Sequence, residues 1–410
     1  MRVLHLGSLY PPYVVGGAER VVEILAEGMA AQGTATGVAH LVPRATPGSW
    51  RNGVGIYPLN SRNPLWIETS ARYPGVVRQF NKLATLFNFM TERDFDALLA
   101  AYIPDIVHTH SMVELTPLMW DAAKARGAQI IHTLHDYDLL CIRGALFKNG
   151  RNCSPAHAAC SLFSKVKKRH HRHIDHVVGV SESILRTHLD HGFFQHLPER
   201  SRHVVWNPVR APRSTTSAAV GRTGPLRFGF LGRLVAEKGI DLLLAACRNL
   251  PAAGWELKVA GRPPTDDSSL RRQASGLPIE FLGFVEPTSF LQQLDVLIAP
   301  SVWAEPFGLT VVEAYAAGIP VLGAASGGIA EVIGSVDPRW LVRPDDAGAL
   351  AHAMAELIVR GRAGLAARPD FSAVLNRTEP DYAIDRYLHI YRTALRLPQR
   401  HHENEVSLAV

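Results

Sequence analysis

Two series of short apolar runs, each alternating with amphipathic stretches of helical length, make up most of the chain. The first holds RVLHLG, AERVVEILAEGMAAQG, DIVHTH, AQIIHTLHD and HVVGVS; the second opens at LRFGFLG and continues through GIDLLLAACRNL, LKVAG, IEFLG, TSFLQQL, DVLIAPS and PVLGAAS. Strands that alternate with helices of this length imply parallel βαβ units. Between the series, Asn207-Pro208 is followed by VRAPRSTTSAAVGRTGP, rich in Pro, Ser, Thr and small residues, which reads as linker. A single core stops growing at roughly 250–300 residues, so 410 residues with 47% apolar content divide into two domains. The expected fold class is α/β, with two doubly wound, Rossmann-like domains facing across a cleft: residues 1–206, a linker 207–225, residues 226–380 and a closing helix 381–396. In that helix Tyr382, Ile384, Leu388 and Tyr391 recur at mixed three- and four-residue spacing. Ligands of such sheets sit beyond the carboxyl ends of the strands, so the cleft is the expected site.

The opening MRVLHLGSLYPP has only five residues between Arg2 and Ser8, too few for the apolar core of a signal peptide. No stretch reaches the roughly 18–20 apolar residues of a membrane span. A cytoplasmic protein, or one peripheral on a membrane, is the expectation. The net charge of +6 with 19 histidines favours anionic partners. Part of it is gathered in FSKVKKRHHRHIDH, residues 163–176, where Lys165, Lys167, Lys168, Arg169 and Arg172 face only Asp175. This run is either a solvated helix face or a contact with an anionic membrane or acceptor. It lacks interleaved aromatics, which argues against nucleic acid.

The most informative segment is WAEPFGLTVVEAYAAGIPVLGAASGG, residues 303–328. A loop ending near Gly308 feeds a helix from about Leu309 to Ala317, closed by Gly318 and Pro320. The backbone from Phe307 and Gly308 into Leu309 and Thr310 then offers free N–H groups and the positive end of the helix dipole, a site for phosphate. Glu305 and Glu313 flank that terminus, and carboxylates accept from hydroxyls, so sugar and ribose hydroxyls are their natural partners beside a phosphate. Glu313 alone could equally be a first-turn acid offsetting the dipole. In FLGRLVAEKGIDLLLAA, Arg233 leaves a strand end and Lys238 stands at the mouth of the next helix, together a cradle for a diphosphate, although each alone could be a surface ion-pair residue. Gly16-Gly17 precede a helix as a further backbone cradle. They are not the dinucleotide fingerprint, since no Gly-x-Gly-x-x-Gly is present. His135 ends a strand in TLHDYD, where it can meet a sugar hydroxyl or a departing phosphate.

These segments carry a resemblance. LGRLVAEKG and EPFGLTVVEAYAAGIPVLGAASGGIAEVI, supported by GGAERVV, PDIVHTH, TLHDY and VVGVSES, resemble the retaining family 4 glycosyltransferases of GT-B fold over most of residues 1–395. The resemblance implies a hexose moved from a UDP- or GDP-linked donor to a glycan or lipid-linked glycan, in bacterial surface polysaccharide or lipopolysaccharide synthesis, with no cofactor and no catalytic metal. It implies that Arg233 and Lys238 hold the diphosphate, Glu305 the donor sugar and Glu313 the ribose. Gly17 would back the phosphates, His135 touch the transferring sugar, and the backbone at Phe284 and Val285 read the base. It also implies that helix 381–395 packs back on the first domain.

Two departures stand out. Arg262-Pro263-Pro264 replaces the usual glycine-rich turn after LKVAG, and Asp136-Tyr137-Asp138 spells a metal-binding Asp-x-Asp inside a segment that the resemblance makes metal-free. Cys141, Cys153, His157 and Cys160 form a possible structural zinc set, against independent thiols packed in a loop. Rival functions are a sugar-nucleotide epimerase or phosphorylase of the same architecture, or a non-catalytic nucleotide-sugar-binding subunit.

Overall fold

Apolar side chains in unbroken sequence along a strand require cover on both faces. Arg2–Gly7, Ile106–His110, Gln129–Leu134 and His176–Gly179 are buried along almost their whole length, as parallel strands sandwiched between helices must be. The computed structural model describes residues 1–44, 46–153, 157–213, 223–263, 266–365 and 369–396. Its first sheet has eight strands, in spatial order Arg202–Val204, His176–Gly179, Gln129–Leu134, Ile106–His110, Arg2–Gly7, Ala35–Val42, Val54–Asn60 and Ser49–Arg51. All neighbours are parallel except the last pair. The second sheet has six parallel strands, in order Ile279–Gly283, Trp255–Ala260, Leu226–Leu231, Val296–Ala299, Val321–Ala324 and Leu341–Val342. Both halves are thus the doubly wound sheets that the alternation of runs predicts. In each, the first strand lies between neighbours reached by opposite crossovers, so a crevice opens beyond Gly7 in one and beyond Leu231 in the other. Residues 214–222 of the expected linker, and Pro264, lie outside the described residues.

The chain passes between the two sheets twice, and the passages are joined where the Val209 N–H donates to the Thr378 carbonyl at 2.9 Å. Beside them the Trp206 indole donates to Glu331 Oε1 at 2.7 Å and packs edge-on against Phe307, with ring centroids 5.8 Å apart. One continuous apolar core runs through these two rings from the first sheet into the second. The last helix, Pro380–Ala394, returns to the first domain. There Ile384, Tyr387, Leu388 and Tyr391 share a core with Val21, Leu25 and Met29 of the helix Ala18–Ala31.

Polar groups lie inside the first sheet as well. His108 bonds the Tyr391 hydroxyl through Nδ1 and Thr133 Oγ1 through Nε2, the latter at 2.7 Å, and Thr133 meets the Tyr387 hydroxyl at 3.1 Å. The closing helix is therefore held by hydrogen bonds to two central strands in addition to apolar contact. Burial disfavours the imidazolium, lowering His5 and His132 to about 3 and His188 to about 4. All three are fully enclosed. Such groups contribute stability above their unfolded value near 6.5 that is lost as pH falls toward the folded values, at about 1.4 kcal/mol per group per pH unit. The urea midpoint should accordingly fall steeply between pH 6.5 and 5; a midpoint flat over that range would contradict neutral burial of these rings.

Candidate active site

The second domain's half of the site is built by close backbone approach. After the strand Leu226–Leu231 the chain makes a short turn, Ala236–Lys238, ending at Gly239 with φ 74°. A Cβ on Gly239 would fall 2.0 Å from the Pro300 carbonyl oxygen, so only glycine lets this turn seat against the end of the Val296–Ala299 strand. That seating brings Lys238 Nζ to 2.7 Å from Glu305 Oε2, with the Trp303 ring centroid 5.6 Å from the ammonium. Gly327, at φ 58°, lies directly beneath the Glu305 backbone, where a Cβ would fall 2.4 Å from its carbonyl oxygen. The Gly328 N–H donates to that same oxygen at 2.6 Å. The helix beyond spans Leu309–Ala316 with Gly308 as its left-handed N-cap, close to the expected bounds. Its first-turn N–H groups have no carbonyl of their own helix to bond, and they carry the positive end of its dipole.

Across the cleft, Gly16-Gly17 precede the helix Ala18–Ala31, and Gly17 meets Leu309 so closely that a Cβ would fall 2.1 Å from Leu309 Cδ1. The glycine pair is shared by two cavities. One, of about 280 Å³, reaches Gly7, His110, Ser111, His135 and Asp136 at the strand ends of the first sheet. The other, of about 440 Å³, reaches Arg20, Arg210, Leu309 and Glu313. Burial, then the charge of Glu286, pushes the Glu313 carboxyl above its ordinary value.

His135 belongs to a chain of imidazoles. Its Nε2 lies 3.1 Å from His110 Nδ1, and His110 Nε2 lies 2.9 Å from His5 Nδ1. With both nitrogens of His110 committed, the three tautomers are linked, and His135 keeps Nδ1 for a ligand. Burial lowers His135 to about 4 and, with the neighbouring rings, holds His110 well below 6.5. The ring at the cavity is neutral. Among the described residues, His5, His108 and His110 are the one group of three with ligand atoms all within 4.8 Å, but both nitrogens of His108 and of His110 are already hydrogen-bonded.

The sequence brought forward most of these residues singly, and the structure groups them. Lys238 joins Glu305; Gly16 and Gly17 join His135 on one side and Leu309 with Glu313 on the other. Arg233 stands exposed just past its strand end, and Phe284 and Val285 follow the strand Ile279–Gly283, with Phe284 exposed beneath the Arg262 guanidinium. Phe307 and Thr310 flank the helix start. Sequence reasoning missed His5, His110 and Ser111. The signal available was the period-two placement of His108 and His110 in DIVHTH, which puts both on one face of a strand end.

One expectation changes on this geometry, and two others gain detail. Lys167 is not part of an exposed basic face: it is buried and ion-paired with Asp138, because its ammonium also finds the carbonyls of Met112 and Asp138. The Asp-x-Asp is divided among internal partners. Asp138 goes to Lys167, Asp136 accepts from the Ser111 hydroxyl at 2.6 Å, and the Tyr137 hydroxyl crosses to the Ala304 carbonyl at 2.8 Å. Burial and Asp138 raise the Asp136 carboxyl. Of the four zinc candidates, Cys141 and Cys160 have thiols 3.8 Å apart, burial raises Cys153 and Cys160, and His157 is exposed at the start of the helix Ala158–His170.

With this geometry in hand, the chain matches two protein families, "Glycosyl transferase 4-like domain" over residues 16–208 and "Glycosyl transferases group 1" over residues 225–360. It is 32% identical over 333 residues, 81% of this chain and 87% of the other, to an uncharacterized 42.6 kDa protein in the cps region of Klebsiella pneumoniae. It is 27% identical over 380 residues, 87% and 86% of the two chains, to the glycogen synthase of Mycobacterium tuberculosis. Its fold is similar to that of HepE from Anabaena, solved in complex with UDP, at TM-score 0.72 and 17% identity, covering 96% of this chain and 100% of that one.

Gly327→Ala tests the construction of the Glu305 loop. A left-handed backbone conformation costs a residue with a Cβ roughly 1–2 kcal/mol before any clash, so the urea midpoint should drop by at least that equivalent. An unchanged midpoint would mean that the loop does not depend on this contact.

Proposed function

Because the chain belongs to the group 1 glycosyl transferases, with a 4-like first domain and the GT-B fold, we propose that it moves a hexose from a UDP- or GDP-linked donor to a glycan or lipid-linked glycan acceptor in bacterial surface-polysaccharide synthesis. The observation that carries this reading is the contact of Lys238 with Glu305 across 67 residues of sequence, just before a helix whose first residue, Leu309, meets Gly17. A cation, a carboxylate and free N–H groups in one crevice suit a ligand that is anionic at one end and hydroxylated at the other. The relative encoded in a cps region supports the polysaccharide setting, and the glycogen synthase supports a hexose.

In this reading the diphosphate lies at the start of the Leu309–Ala316 helix and draws Lys238 toward its oxygens, with Arg233 closing from the strand end. Glu305, released from Lys238, accepts from hydroxyls of the donor sugar, while Glu313 accepts from the ribose and the backbone at Phe284 and Val285 meets the base. The anomeric carbon–oxygen bond breaks toward the diphosphate, the acceptor oxygen bonds the same carbon from the same face, and its proton passes to the departing phosphate. Configuration is retained. Stabilising the leaving charge supplies most of the acceleration, and no metal is needed for it. His135, neutral at working pH, hydrogen-bonds a hydroxyl of the transferring sugar through Nδ1.

Incubation with UDP- and GDP-linked hexoses, UDP-glucose first, should release nucleoside diphosphate, with the anomeric configuration of the product read by NMR. Turnover should survive excess EDTA, and loss restored by manganese would overturn metal independence. Removing one member of a desolvated charge pair costs roughly 2–5 kcal/mol. Lys238→Ala and Arg233→Ala should therefore each weaken nucleoside diphosphate binding by about 30-fold or more. Glu305→Ala frees Lys238, so nucleoside diphosphate affinity should hold or tighten while turnover falls about 100-fold. If the wild type bound nucleotide sugar and turned over none, the binding-subunit reading would replace this one.

A further inference from the structure

The helix Gly75–Leu86 is inside out. Its buried side chains include Asn81 and Thr85; Asn81 accepts from the Leu65 N–H at 2.8 Å and donates to Glu114 at 3.0 Å, and Lys82 pairs with the same carboxylate. Apart from Leu86, which is buried, its large apolar side chains point the other way. Val76, Phe80, Leu83 and Phe87 recur at four-, three- and four-residue spacing, which places them on one face, and all are exposed, Val76 by 78% and Phe80 by 64%. Phe89 and Met90, opening the next helix, Phe89–Tyr102, extend the exposed apolar surface. More than half of the exposed large apolar side chains among the described residues fall within 73–90. Soluble proteins rarely show such clustering unless something covers it.

Charge identifies the cover. Residues 73–90 contain no Asp or Glu, and Arg72, Arg78 and Lys82 are their charged members and border; Arg72 and Arg78 are exposed. The helix Ala158–His170, which touches Gly75–Leu86, carries exposed Leu162, Lys165 and Arg169 on one face. A second copy meeting this face about a two-fold axis would bring two copies of the same basic patch together, with no acid between 73 and 90 to offset either. An apolar face whose stretch 73–90 carries bases and no acid, the nearest acid on its far side being Glu92 in the first turn of Phe89–Tyr102, matches an anionic lipid surface, whose headgroups take the bases while the acyl region takes the phenylalanines and leucine. We propose that the outward face of Gly75–Leu86 and the start of Phe89–Tyr102 dock the first domain on an anionic bilayer. This assigns the leading part to 73–90, with the exposed bases of the 163–176 run as an electrostatic adjunct.

The test uses the full chain and vesicles of pure phosphatidylcholine or with about a third phosphatidylglycerol. Wild type should cosediment with the anionic vesicles and retain part of that binding at high salt, because apolar contact is unscreened. The triple variant Val76→Ser, Phe80→Ser, Leu83→Ser should bind at least about tenfold more weakly, and Arg72→Gln with Arg78→Gln should lose chiefly the salt-sensitive part. All these side chains are exposed and outside the donor site, so nucleoside diphosphate release from a soluble donor should be unchanged in both variants, separating this proposal from the transferase assignment. Equal cosedimentation of the triple variant and wild type, or none by wild type, would overturn it. So would a wild-type dimer in light scattering that the triple variant renders monomeric without any vesicle binding.

Discussion

Everything at the cleft depends on the loop 302–306 being held from both domains at once. From the first domain, Asn152 Nδ2 donates to the Val302 carbonyl at 2.9 Å, the Tyr137 hydroxyl to that of Ala304 at 2.8 Å and the Ser181 hydroxyl to that of Pro306 at 2.6 Å. The Trp303 indole answers by donating to the Ala145 carbonyl at 2.6 Å. From its own domain the loop receives the Gly328 N–H and the seat at Gly327. Backbone carbonyls with donors on both sides cannot drift without leaving buried groups unpaired, at roughly 1–3 kcal/mol each. Glu305 is thereby presented from a fixed backbone, although it belongs to neither a helix nor a strand.

The Lys238–Glu305 contact then acquires a particular character. Both groups are largely buried, Lys238 with 23% of its side chain exposed and Glu305 with 10%, and a pair so placed spends much of its attraction on lost hydration. Such a pair is weak as a source of stability and well suited to exchange. In the proposed function, a diphosphate would bring a larger negative charge to Lys238 than one carboxylate can. The first-turn N–H groups at Leu309 and Thr310 hold their positive potential without side-chain rearrangement, so exchange costs chiefly the one ion pair.

How much of this was legible in the sequence follows from the range of the forces involved. The helix Leu309–Ala316 and the strands around it were readable to within a residue or so, because Gly308, Gly318 and Pro320 punctuate them locally and the apolar runs set strand lengths. The first domain was less readable wherever polar residues were internal. A basic run looks solvated, yet Lys167 turns inward because Asp138 and two carbonyls wait there. Histidines at period two look like incidental strand residues until neighbouring strands stack them into the chain His5, His110, His135. Gly75–Leu86 gave no core-facing apolar pattern to find, since its apolar stripe faces solvent. These cases share one cause: the partner that decides the side chain's direction is far away in sequence.

Glu114 is where the inverted helix and the site come nearest to one another. It is buried, with φ at 60°, and its carboxylate gathers Lys82, Asn81 and Asn63, all from the 60–90 segment. Three residues before it, Ser111 donates to Asp136, the neighbour of His135, and one residue before it the Val113 carbonyl accepts from Ser8 at the end of the first strand. The link from the outward apolar face to the cavity at His135 therefore runs through a single short stretch, 111–114, in which the Ser111 hydroxyl, the Met112 and Val113 carbonyls and the Glu114 carboxylate are all engaged. A fully satisfied buried network resists independent movement of its members. Whatever orients Gly75–Leu86 must also orient the wall of the cavity where the acceptor would enter, so a surface that covers that helix would align this wall through Glu114, with no separate moving part.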